Sequence, residues 1–203
     1  MLFQPTMAFT MKKIILLLLV LTTSCGIFSP SKRDGSGKPL VIVSAAPYIK
    51  IVIQIAKNKV DVQSIIPADV DPHNFEPSPR DMAPLMNAAL WVQVGEEFEY
   101  LLENRLRETT PDLMILSLPK VTTTLKSNCH KHHHHHDHEI CHDVDTHYWL
   151  DPVTVIEQAK YITDDLCKIL PEDAEYFQNR LKVLILKLTL LDNHIKSELK
   201  PFH

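Results

Sequence analysis

No stretch of this sequence is apolar for long enough to cross a bilayer. The run at residues 14–21 holds eight residues, against the roughly 20 that a spanning helix requires. Basic residues are in the minority, 21 Lys and Arg against 25 Asp and Glu, for a net charge of −4. Without a basic patch the chain lacks the electrostatic footprint of a nucleic-acid binder. Cysteine is scarce, with four in 203 residues: Cys25, Cys129, Cys141 and Cys167. In an oxidising compartment Cys129 and Cys141 could close the loop between them as a disulfide, lend thiolates to a metal, or stay reduced. An apolar fraction of 45% is enough for a real core, and the length suits one domain with an appendage.

The eight apolar residues follow Lys12 and Lys13 and precede Thr22, Thr23, Ser24 and Cys25. That order matches a secretory signal peptide, so residues 1–25 read as a targeting segment and the mature chain as exported, periplasmic or tethered to the outer face of a membrane. Small residues ending in Cys25-Gly26 resemble a bacterial lipoprotein cleavage site, with Cys25 as the acylated residue; Thr22 departs from the leucine usual in that motif. Contact with the membrane is then expected only through such an anchor. Residues 26–38, rich in Gly, Ser and Lys, form a tether.

Histidine is abundant, and unevenly placed. Residues 129–152 carry nine of the twelve histidines. Eight of them, His130, His132, His133, His134, His135, His136, His138 and His142, crowd into residues 129–142. Imidazole is mostly uncharged at neutral pH and is a good ligand for zinc, copper and nickel. Asp137, Glu139, Asp143 and Asp145 add negative charge that attracts a cation. A chain of neighbouring histidines offers many overlapping ligand sets of no fixed geometry. The loop is therefore an auxiliary, low-affinity metal collector, and a selective site needs ligands held rigidly elsewhere.

The rest of the chain alternates strand and helix signals. Strands are expected at residues 40–43, 60–66, 90–94 and 113–118. Helices are expected from Pro47, over 80–89, over 97–107, from Pro152 to about 170, and over 172–200. This order predicts a parallel α/β fold of the (βα)4 type over residues 39–170, followed by a long connecting helix over 171–203. Asp151-Pro152 is a strong helix start, with Leu150 and Val155 spaced as a hydrophobic staple. The last helix has an apolar face of Ala174, Phe177, Leu181, Leu184, Ile185, Leu188, Leu191, Ile195 and Leu199. A second stripe, Val183, Leu186 and Leu190, lies away from it. Two stripes suggest a helix held between two bodies, of which this chain supplies one.

In parallel α/β sheets, ligands sit at the carboxyl ends of strands. Two isolated histidines occupy such positions. His73 follows the second strand in a loop stiffened by Pro67, Pro72, Pro77 and Pro79. His147 stands just before the capped helix, in a segment expected to be anchored by Trp149 and Leu150. These two are the candidate metal ligands.

The segment Asp71-Pro72-His73-Asn74-Phe75-Glu76-Pro77, with Pro79-Arg80-Asp81 and Asn87-Ala88-Ala89-Leu90 after it, resembles the first half of the zinc/manganese-type substrate-binding proteins of ABC importers. Residues 145–152, DTHYWLDP, match that family's second signature, and a histidine-rich loop between the two is typical of its zinc-importing members. The resemblance runs from about Pro39 to the end. It implies an extracytoplasmic receptor of two lobes joined by one long helix, capturing a divalent metal between them and delivering it to a permease with its ATPase. It also implies His73 and His147 as the first-lobe ligands, with the remaining ligands in a second lobe that this sequence does not reach. Zinc is the metal the loop favours, with manganese and iron as the alternatives. His203 falls near the third ligand region but lacks its motif, and is not assigned.

Two other readings compete. His138-Glu139-Ile140-Cys141-His142 has the H-E-x-x-H form of zinc proteases, but that chemistry needs both histidines on one face of a rigid helix. No apolar face supports one here, so the chain reads as a binding protein and not an enzyme. A histidine-rich zinc buffer or chaperone, working through residues 129–142 alone, is the alternative to transport. It predicts that deleting the loop removes all binding.

Overall fold

The computed structural model describes residues 37–122 and 146–202. The expected signal segment and tether up to residue 36, Cys25, the histidine-rich stretch with Cys129 and Cys141, and His203 lie outside them. Four strands form one parallel sheet: β1 (Leu40–Val43), β2 (Asp61–Ser64), β3 (Leu90–Gln93) and β4 (Met114–Ser117), in the order β2-β1-β3-β4. Every neighbouring pair is parallel, with Val41 opposite Val62 and Leu90, and Leu90 opposite Met114. Because β1 and β3 are buried on both faces, their sequences are nearly continuous apolar runs. The expected (βα)4 architecture is the one observed.

Alternate residues of these strands feed two cores. Val41, Val43, Leu90 and Val92 face one side with Tyr48, Val52 and Ile55 of α1 (Pro47–Ala56). Leu40, Ile42 and Trp91 face the other with Phe98 and Leu106 of α3 (Glu97–Thr109). The first face also receives α5 (Pro152–Ile169) and α6 (Ala174–Leu199) through Ile162, Leu166, Phe177 and Leu181. The chain thus leaves β1 for β2 on one side and reaches β3 on the other, so the order reverses between β1 and β3. In sheets of this kind such a switch point, at the carboxyl ends of the two strands, is where ligands are generally bound.

Three boundaries differ from expectation. The region 80–89 is not one helix but a single α-turn, α2 (Pro79–Met82), followed by the 3-10 helix Ala83–Asn87. Pro84 explains it: proline has no N–H to donate to residue 80, and its ring collides with that carbonyl. The second and fourth strands are shorter than read, although Ile65 and Ile66 still donate to Val43 and Ser44 at 2.9 and 3.0 Å. After β4 the chain turns into the short helix α4 (Leu118–Val121).

The long helix starts at Ala174, after the 3-10 turn Pro171–Asp173, and has 26 residues, about 39 Å at 1.5 Å per residue. It doubles back along α5, bringing Lys196 within electrostatic reach of Asp151 at the start of that helix. Its root is tied to the turn after α1 by Lys59 Nζ on Asp173 at 2.7 Å and to α1 itself by Arg180 Nε on the carbonyl of Gln54 at 3.1 Å. Phe177, Leu181 and Leu184 are buried, but Leu191, Ile195 and Leu199 are exposed, as are Val183, Leu186 and Leu190. The first stripe is therefore covered only over the helix's first half, and the second stripe is open throughout. Among the described residues, no helix is long and apolar enough to cross a membrane.

Candidate metal centre

The two signature histidines lie on separate 3-10 turns. The backbone of His73 is the centre of Pro72–Asn74. Asn74 Nδ2 donates to Asp71 Oδ2 at 2.7 Å, closing the turn across His73. Downstream, Ser78 caps α2. Its backbone N–H donates to Asp81 Oδ2 at 2.9 Å, and its hydroxyl donates to the same oxygen at 2.5 Å while accepting from Asp81 N at 3.4 Å. The Ser78 hydroxyl and N–H hold the Asp81 carboxyl below its usual value. Between these two local locks, Phe75 packs edge-on against Phe98 of α3, with ring centroids 5.9 Å apart.

His147 is the second residue of the turn Thr146–Leu150. A 3-10 helix has three residues per turn, so residues three apart share a face. His147 and Leu150 accordingly face outward, and Thr146 and Tyr148 are buried. The ring of His147 lies beside the indole of Trp149, centroids 5.3 Å apart, and that indole meets Tyr48 and Tyr148 edge-on at 6.4 Å each. The expectation that Leu150 anchors this segment fails. Leu150 is 73% exposed and forms no staple with the buried Val155, because the 3-10 period places it on the histidine's side of the turn. Tyr148 takes that role: its hydroxyl donates to the carbonyl of Val94, just past the end of β3, in a short hydrogen bond. Burial pushes the Tyr148 phenol up, so the hydroxyl remains a donor across the physiological range.

Asp151 ends the turn and starts α5, accepting from Val153 N at 3.2 Å, Thr154 N at 3.0 Å and the Thr154 hydroxyl at 2.5 Å. Burial raises its carboxyl, but these hydrogen bonds more than offset that and leave it below the usual range. The cap fixes the backbone four residues after His147. In the core beneath this turn, Tyr48 donates to Gln158 Oε1 at 2.9 Å, bridging α1 and α5. The Thr146 hydroxyl, next to His147, is buried with no hydrogen-bond partner among the described residues.

A third element joins the two turns, and sequence reading missed it. Glu99, in the first turn of α3, reaches back and accepts from Val94 N at 2.8 Å and Gly95 N at 2.7 Å. Burial pushes its carboxyl up to about 7, with hydrogen bonds from Ser44 and the two N–H groups working against that rise. The available signal was an acid at the third position of a helix that follows a glycine, where it can satisfy backbone donors ahead of the helix. Gly95 has φ +98°, and a Cβ there would lie 2.9 Å from Pro119 Cγ, so only glycine fits. The segment 94–98 thus receives the His147 turn through Tyr148 and the His73 turn through Phe75.

No cluster of three or more metal-ligating side chains occurs among the described residues. The auxiliary histidines 130, 132–136, 138 and 142 lie outside them. What the structure brings together is two histidine-bearing turns at the carboxyl side of one sheet, each anchored to the same short segment.

Comparison with known proteins agrees with this architecture. The zinc-bound crystal structure of a ZnuA mutant lacking residues 138–173 superposes with a TM-score of 0.69 at 24% identity, over 81% of this chain and 59% of that one, a likeness of fold. The metal-dependent lipoprotein YcdH from Bacillus subtilis superposes with a TM-score of 0.64 at 29% identity, over 80% of this chain and 56% of that one. In sequence, the high-affinity zinc uptake system protein ZnuA of Bacillus subtilis (strain 168) is 32% identical over 186 residues, 89% of this chain and 58% of the relative. The chain thus spans between 56% and 59% of the length of these three proteins. The family model described as zinc-uptake complex component A, periplasmic (ZnuA), matches residues 41–203, and the chain belongs to that family.

Proposed function

We propose that this chain is the first, metal-capturing lobe of an extracytoplasmic solute-binding component of an ABC importer, with a divalent metal, foremost zinc, as its cargo. His73 and His147 are its two ligands. The permease and ATPase of the importer are its partners, and it works in the periplasm or tethered to the outer face of a membrane, with Cys25 as the lipidated residue. The observation that carries this reading is that both signature histidines belong to braced turns at the carboxyl side of one parallel sheet. Bracing matters because a ligand held in place before binding loses little entropy on capture.

Zinc favours about four ligands in a tetrahedron, and two histidines leave its shell half filled. A second lobe, from the same or another polypeptide, would complete it. The uncovered apolar length of α6 supports such a neighbour. The histidines of residues 129–142 gather metal at lower affinity.

Zinc titration of the chain and of a form lacking residues 129–142 tests this. The deletion is expected to keep about one tightly held zinc, which the combined His73→Ala and His147→Ala substitutions abolish. A deletion that binds nothing would make the chain a histidine buffer instead.

A further inference from the structure

Glu99 belongs to no ligand set, yet it is the most deeply buried carboxylate among the described residues, 2% exposed. Its Oε2 accepts from the N–H of Gly95, which belongs to the same peptide unit as the carbonyl of Val94. That carbonyl is the acceptor of the Tyr148 hydroxyl. A peptide unit is planar and rigid, with its N–H and C=O on opposite edges. Glu99 and Tyr148 therefore grip one plate from its two edges, and turning it would break both bonds together. Hydrogen bonding at one edge also polarises the other, strengthening the pair. Oε1 on Val94 N and the hydrogen bond from Ser44, itself held by Trp91 Nε1 at 3.0 Å, keep the carboxylate from swinging.

We propose that Glu99 is a positioning residue of the metal site, its carboxylate setting the place of His147 through the Val94–Gly95 peptide and Tyr148. The proposal rests on the reading of His147 as a zinc ligand. Two N–H groups on two oxygens call for the ionised form, because a proton on either oxygen spoils it as an acceptor. Below about pH 7, where the carboxyl still holds its proton, zinc capture is thereby coupled to loss of that proton. The ionisable groups facing this carboxyl are Tyr48 of α1, Glu96 and Tyr100 around the start of α3, and Tyr148. Burial raises all three phenols, so they stay neutral in the window where Glu99 titrates.

The test uses the full chain with zinc alone as probe, competed against a chromophoric chelator from pH 6 to 8. Glu99→Gln places an amide N–H against a backbone N–H. It is expected to weaken the tightest zinc site about 10-fold or more, the usual effect of removing a group that orients a ligand. Tyr148→Phe is expected to do the same. Because both act on one peptide, the double variant should be no weaker than the poorer single one. The rise of log affinity with pH should be shallower in Glu99→Gln below about pH 7, by at most one proton, with the two slopes converging above it. Losses under twofold, losses that multiply in the double variant, or an unchanged pH slope would each overturn the proposal. If Glu99→Gln fails to fold by circular dichroism, Tyr148→Phe decides alone, and a loss under twofold is again fatal. His147→Ala separates the two levels of argument. A tight site that survives it refutes the ligand assignment and the positioning role together, whereas one lost there but kept in Glu99→Gln refutes only the latter.

Discussion

The hydroxyl of Tyr148 donates to the carbonyl of Val94 across 54 residues of chain, and so docks the turn that carries His147 onto the end of β3. Tyr148 is 5% exposed while His147, its neighbour, is exposed. One turn of 3-10 helix thus divides labour between adjacent side chains, one locked inward and one offered outward. The same segment holds Phe98, on which Phe75 of the other histidine turn rests.

Removing that hydroxyl leaves a buried carbonyl unsatisfied. Tyr148→Phe is expected to lower stability by about 1–2 kcal/mol, the usual cost of orphaning one buried neutral acceptor. Urea unfolding should show a lower midpoint with an unchanged slope, since the surface exposed on unfolding does not change. No shift in midpoint would mean the bond contributes nothing in solution.

Gly95 is where the plate between Glu99 and Tyr148 hinges. Its φ of +98° is costly for any residue with a Cβ, and the added carbon would meet Pro119 Cγ at 2.9 Å. Gly95→Ala should therefore destabilise by about 2 kcal/mol or more. Adding Pro119→Ala removes the collision but not the backbone strain, so thermal unfolding of the double variant should recover only in part. Full recovery would show that crowding, not φ, is what demands glycine.

Much of this was legible in the sequence, for physical reasons. Leu40-Val41-Ile42-Val43 and Leu90-Trp91-Val92 are continuous apolar runs because both faces of those strands are covered. Asp151-Pro152 reads as a helix start because a proline and a side-chain acceptor are what a helix entrance needs. His73 stood out through its prolines. What escaped was everything that depends on reach across the fold. Leu150 looked like an anchor because apolar residues usually are, and only the 3-10 period turns it outward. Glu99 was given no role: an acid at the third helical position can reach donors ahead of the helix, but which donors it meets depends on the path of the loop upstream. The expected helix over 80–89 took no account of Pro84, whose ring and missing N–H end it after one turn.

The buried carboxyl gives a pH dependence of definite sign. Glu99 is raised from an ordinary 4.5 to about 7, so between those values the folded chain keeps a proton that the unfolded chain has lost. Raising the pH through this window therefore favours unfolding, by up to about 3 kcal/mol at roughly 1.4 kcal/mol per pH unit, and the effect levels off above 7. The lowered carboxyl of Asp151 acts oppositely and at lower pH, losing its contribution as it is protonated below its usual range. Denaturant midpoints at pH 5 and 8 should differ in the wild type by more than in Glu99→Gln. Equal differences would mean Glu99 titrates normally.

The exposed stripe of α6 yields a prediction about what the described lobe does not need. Leu186 and Leu190 are each 60% exposed, on a helix whose opposite side buries Phe177 completely. Glutamine is a comparable helix former, so Leu186→Gln with Leu190→Gln should change the stability of the chain by no more than about 0.5 kcal/mol. Phe177→Ala, which opens a cavity among Leu166, Ile169 and Leu181, should cost about 3–5 kcal/mol. The contrast matters more than either value, since both sites lie on one helix within a few turns of each other. A loss above about 1.5 kcal/mol from the glutamine pair, independent of protein concentration, would mean that another part of this chain covers the stripe. The same loss growing with concentration would point to a second copy. Absence of any loss leaves the stripe as surface that this lobe folds without using, the condition expected of a helix whose far side is reserved for another body.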